Sequence, residues 1–80
     1  MEYSKIKTGV YNSLEKIGIY INQEIDEDME LENYIQDSLQ FMSFIVELEQ
    51  YFNVEIPDDL LLFEHFEKVS DVVNIISEIL

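Results

Sequence analysis

The chain has 80 residues, with 18 Asp plus Glu against four Lys and no Arg, and a formal net charge of −14. A binder of phosphate backbones needs a basic face to displace counterions, so nucleic acid is excluded as a partner. An anionic membrane surface is excluded on the same ground. At 48% hydrophobic residues the chain has enough apolar surface to offset its ordering entropy, so we expect one folded domain over residues 1–80 rather than an acidic disordered tail. With no cysteine, disulfides, thiolate nucleophiles and Cys-type zinc sites all drop out. No apolar run approaches the ~20 residues of a membrane span, and the start Met-Glu-Tyr-Ser-Lys lacks a secretory pattern, which gives a cytoplasmic reading. Two glycines and one proline leave little turn chemistry for a β-fold, whereas apolar residues recur every three or four positions. The expected class is all-α.

In chain order, Ile6, Val10, Leu14 and Ile17 form one stripe on a helix from about Tyr3 to Lys16, with Gly18 as its stop. From Ile19 to Gln36 the pattern loosens into an acidic loop of ~18 residues, longer than most connections and pinned to the core at Ile25, Leu31 and Ile35. A second helix from about Ser38 to Phe52 carries Phe41, Ile45, Leu48 and Phe52 as its core stripe. Pro57, Asp58 and Asp59 suit the start of a short third helix between Asp59 and Glu67. Ser70 is the expected N-cap of the last helix, whose apolar face is Val73, Ile76 and Leu80 with Val72 and Ile79 alongside. The expected architecture is a small four-helix bundle with three longer helices and one short third helix.

The second helix is unusual because a further stripe, Leu39, Met42 and Val46, remains after its core face is assigned. Either the helix is surrounded, which an 80-residue bundle rarely achieves, or this stripe meets a partner. At the helix start Asp37 and Gln40 approximate a capping box, which turns the Ser38 hydroxyl toward solvent. One reading of Asp37 and Ser38 is that both merely cap. The other is that Ser38 carries a phosphodiester beside free backbone N–H groups at the positive end of the helix.

The run Asp37-Ser38-Leu39 to Leu48-Glu49, then Phe52 and Ile56-Pro57, resembles the phosphopantetheine attachment region of acyl and peptidyl carrier proteins. The resemblance implies a stand-alone, acyl-carrier-like domain with no catalytic residues of its own, acting as a monomer. It implies covalent 4'-phosphopantetheine on Ser38, transferred from coenzyme A, with Asp37 as the acidic residue before the modified serine. It implies that Leu39, Met42, Val46 and Glu49 meet a phosphopantetheinyl transferase, an acyl- or aminoacyl-loading enzyme and downstream synthases. Cargo held as a thioester would then be shuttled between biosynthetic enzymes. Two departures point to a specialised pathway, nonribosomal peptide, polyketide or related. Ser43 and Gln50 stand where carriers of bacterial fatty-acid synthesis are usually acidic, and Ile35-Gln36 replaces the glycine often found before the Asp. Phe44, Phe52, Phe63 and Phe66 are expected to fill the interior and keep an acyl chain outside.

Other chemistries fare worse. The stretch Asp26 to Asp37 alternates carboxylates, but Leu31 stands where an EF-hand needs glycine and the run ends in Asp, so no metal site is assigned. His65, the only histidine, has no motif partner, and Ser38 is not in a Gly-x-Ser-x-Gly elbow. Tyr11, Tyr20, Tyr34 and Tyr51 read as core-edge aromatics. The competing function is an acidic helical adaptor that binds one protein through the Leu39/Met42/Val46 stripe with no prosthetic group. Whichever holds, a net charge of −14 on so short a chain repels itself in the compact state. We expect the urea midpoint to rise between 10 mM and 300 mM sodium chloride, over which the Debye length falls from about 30 Å to less than about 8 Å; a flat or falling midpoint would show that self-repulsion is not a significant term.

Overall fold

A computed structural model describes residues 3–21 and 28–80, apart from the side chain of Phe63. Three α-helices are present: α1 (Tyr3–Lys16), α2 (Ser38–Phe52) and α3 (Val69–Ile79), with α1 packed against both others. Among the described residues there is no strand, only an isolated antiparallel bridge between Glu30 and Lys68. The all-α class and the bounds of α1 and α2 follow the periodicity.

Helix α1 buries Ile6, Val10 and Leu14 on one stripe. It ends in a Schellman turn: Gly18, at φ 88°, donates its N–H to Glu15 C=O at 3.0 Å, and Ile19 N–H reaches Leu14 C=O at 2.9 Å. The turn brings Ile19 into the core against Leu14, and the chain stays there through buried Ile21. The Tyr11 hydroxyl donates to Ile21 C=O at 3.0 Å and fixes this exit. Tyr20, between two inward residues of an extended segment, points outward, so it is an exposed tyrosine and not the core-edge residue expected; Tyr51 is exposed as well.

The acidic connection is held across the molecule. Leu31 N–H donates to Glu67 C=O at 2.8 Å and Val69 N–H to Met29 C=O at 3.1 Å, which ties residues 29–31 to the start of α3. Leu31 and Ile35 are buried as expected, while Ile25 lies outside the described residues. The N-cap of α3 lies two residues before the expected one. Asp71 accepts the Lys68 N–H at 3.0 Å, which makes Lys68 the N-cap and places Ser70 inside the first turn. Val69, Val72, Val73 and Ile76 are its buried face, and Leu80 is exposed.

The short third helix of the expected four is replaced by two 3-10 turns, Asp58–Leu60 and Phe63–His65. Their amides reach back three residues: Leu60 to Pro57, Leu61 to Asp58 and His65 to Leu62. Leu60, Leu61 and Leu62 are consecutive, so no single helix face could bury all three. Ile56 and Phe66 are both buried, and the nine residues between these anchors form a connector of the kind that 3-10 turns commonly fill.

One position decides how closely α1 and α2 cross. Gly9 is buried in mid-helix, and a methyl group there would overlap the Phe52 ring and crowd Tyr51. On helix propensity alone Gly9→Ala stabilises by about 0.5–1 kcal/mol. Here we expect net destabilisation of about 1–3 kcal/mol, the range for overpacking a close contact, read as a lower urea midpoint. A higher midpoint would contradict the close crossing.

Candidate functional site

The start of α2 is set by two side chains acting on backbone. Asp37 is extended (φ −148°, ψ 171°) and its carboxylate accepts the Gln40 N–H at 2.7 Å. The Gln40 side-chain oxygen accepts the Gln36 N–H at 2.8 Å, so the box closes one residue further out than the usual capping box. With the Gln40 amide taken, those of Ser38 and Leu39 remain at the open, positive end of the helix. Ser38 is the first helical residue and is exposed.

Beyond Ser38 the helix carries its two apolar faces as expected. Phe41, Phe44, Ile45, Leu48 and Phe52 are buried, whereas Leu39, Met42 and Val46 are 78%, 42% and 44% exposed. The exposed stripe is a crest with a groove on either side. On one flank an open depression of about 640 Å³ is lined by Ile35, Ser38, Phe41, Met42, Leu61 and Leu62, among others. On the other, Ser43 and Glu47 face Lys16 and Ile17 of the α1 end. An exposed hydroxyl at the positive end of a fifteen-residue helix, opening onto an apolar depression, fits a phosphodiester-linked arm: the helix end favours the anion and the depression can receive a chain. The Leu61 and Leu62 wall was not singled out from the sequence; the only signal for it was three successive leucines that one core face could not absorb.

Glu49 is the one expected partner residue with a second task. It is half-buried, and its carboxylate accepts the Ile56 N–H at 2.8 Å. Its own C=O accepts the N–H groups of Asn53, which is left-handed at φ 55°, and of Val54. Glu49 therefore both ends α2 and anchors the crossing that leads to the Leu61 and Leu62 wall. His65 is exposed and does not line the depression with Ser38. Among the described residues no cluster of three or more His, Asp or Glu is placed to hold a metal. For Glu49→Ala we expect a loss of about 1–3 kcal/mol from the stranded Ile56 amide, and for Glu49→Gln, which keeps an acceptor oxygen, less than half of that, both read by urea denaturation. Equal losses would mean that the carboxylate charge, not the acceptor, matters.

A search of curated proteins finds no match. Among the described residues no helix is long and apolar enough to cross a membrane. A comparison with protein-family models matches residues 14–76, a span that takes in the end of α1, the acidic connection, all of α2 and most of α3, to the family described as the phosphopantetheine attachment site. Members of that family are in general non-catalytic carriers that bear a covalent phosphopantetheine, and with well over half of its length matched this chain belongs to the phosphopantetheine-attachment carrier family.

Proposed function

We infer that Ser38 is the attachment residue and that the chain carries acyl or aminoacyl groups as thioesters between the enzymes of a specialised biosynthetic pathway. The observation that carries this reading is the exposed Ser38 at the open positive end of α2, inside the span matched by the family. The prosthetic group supplies a terminal thiol, which a chain without cysteine otherwise lacks.

Each neighbouring side chain then has a task. Asp37 holds the Gln40 amide and fixes the helix start, so the Ser38 hydroxyl projects rather than folding back onto its own backbone. The Ser38 and Leu39 amides favour a phosphodiester at that point by roughly 0.3–1 kcal/mol. The depression bounded by Leu61 and Leu62 is where an arm rooted at Ser38 can rest. Phe44 and Phe66 are fully buried and Phe52 nearly so, which supports cargo held outside the core; the side chain of Phe63, expected beside them, lies outside the described residues. Leu39, Met42 and Val46 are the partner face, read in turn by the transferase, a loading enzyme and downstream synthases. Tethering makes each such encounter local, at high effective concentration. Exposed acids at Asp28, Glu30 and Glu32 and at Glu55, Asp58 and Asp59 steer basic partner surfaces toward it, while Ser43 and Gln50 keep the crest itself weakly charged.

Incubation with coenzyme A, magnesium and a broad-specificity transferase is expected to add one phosphopantetheinyl group to the intact mass, and Ser38→Ala is expected to add none. Met42→Glu is expected to fold normally and to raise the transferase KM about tenfold, the effect of losing an interface anchor worth about 1.4 kcal/mol. No mass gain where a control carrier is modified would overturn the carrier reading and leave the stripe as the face of an acidic adaptor. An unchanged KM would remove Met42 from the partner face.

A further inference from the structure

The flank of α2 away from the Ser38 depression holds a second groove that carrier chemistry does not use. It measures about 530 Å³, lies along the last turn of α1, and is lined by Asn12, Glu15, Lys16, Tyr20, Glu47 and Tyr51 among others. Two tyrosines open onto it with much of their surface in solvent, 70% for Tyr20 and 48% for Tyr51. Neither exposure is accidental. Tyr20 is turned outward because Ile19 and Ile21 on either side are buried, and Tyr51 lies over Gly9, where only the absence of a side chain lets the ring approach α1.

The charges of the groove select an occupant. Glu15 and Glu47 contribute two carboxylates and Lys16 one ammonium, so the lining is net acidic. Lys16 stands at the carbonyl end of α1, where the helix dipole by itself favours a cation. Aromatic faces beside carboxylates suit a guanidinium, which stacks flat on a ring and bonds a carboxylate in a fork; an ammonium does neither as well. An adjoining furrow shares Lys16 and Glu47 and runs up to Asp37 and Leu39 at the head of α2. A chain lying on the exposed stripe can therefore reach the groove without leaving the surface.

We propose that this groove is a second interaction surface, which takes an arginine side chain from a protein partner between Tyr20, Tyr51 and Glu47, with an adjacent apolar residue of the same partner on Leu39. The occupant is a basic polypeptide segment, matched to an acidic, aromatic groove on a chain of net charge −14. The groove that takes the arginine does not include Ser38, although Leu39 is shared with the partner face, and the proposal stands whether or not Ser38 is modified.

The test is an NMR titration of isotope-labelled protein in 0.15 M sodium chloride with three blocked tripeptides, Leu-Arg-Leu, Leu-Lys-Leu and Leu-Gln-Leu. Leu-Arg-Leu is expected to shift the signals of Tyr20, Glu47 and Tyr51 saturably and to bind about threefold tighter than Leu-Lys-Leu, the difference that aromatic stacking of the guanidinium provides. Tyr20→Ser and Glu47→Gln, which leave the Tyr51 contact with Gly9 in place, are each expected to remove that preference for arginine. Equal responses to the arginine and lysine peptides, or shifts centred on residues 28–37 and 55–59, would overturn the proposal. So would an arginine preference that survives Tyr20→Ser.

Discussion

Helix α2 has more apolar surface than an 80-residue chain can enclose, and the rest of the molecule is arranged around that constraint. Five of its side chains, Phe41, Phe44, Ile45, Leu48 and Phe52, are inside, and three others, Leu39, Met42 and Val46, are left on a crest. Helix α1 can cover only one side of α2, and it comes close enough to do so because Gly9 admits the Phe52 and Tyr51 rings. The connector covers the other side with 3-10 turns, which reach from Ile56 to Phe66 and leave the crest open between two grooves. Exposure of the stripe is thus a consequence of how little chain is available to cover it.

The two ends of α2 are governed by carboxylates that accept backbone amides rather than by ion pairs. Asp37 takes the Gln40 N–H and fixes the start of the helix; Glu49 takes the Ile56 N–H and sets the path of the connector. The sequence already placed Asp37 as a cap, whereas Glu49 was read only for what it offers to a partner, and it too is a fixture of the fold. The same economy applies at α3, where Asp71 holds the Lys68 amide. In so acidic a chain, with four lysines in all, backbone N–H groups are the most abundant partners a carboxylate can find.

What the sequence made legible was local. The stripes of α1 and α2, the Gly18 stop and the Asp37 cap depend on residues within one or two turns, and each is found as expected. The burial of Leu31 and Ile35 was also readable, since isolated apolar residues in an acidic run have little reason to be elsewhere. Features that depend on distant residues were not readable. The bridge of residues 29–31 to residues 67–69 spans nearly half the chain, and it starts α3 before Ser70 because it fixes Val69. The expected third helix gives way to two 3-10 turns between Ile56 and Phe66, both buried in the core, anchors that no periodicity within the connector reveals. At the site, Ser38 and the exposed stripe were legible, while the Leu61 and Leu62 wall and the second task of Glu49 needed the crossing of the connector to be seen.

The central claim is that the exposed hydroxyl at the head of α2 is where the prosthetic group is joined. Tandem mass spectrometry of the protein as isolated from its native host tests it most directly, because fragmentation locates the modified residue and not only its mass. The account predicts a phosphopantetheinyl group on Ser38, with any cargo attached to it. The same group found on another hydroxyl, such as Ser43 or Ser70, or a chain isolated wholly without it from cells making its product, would contradict the account.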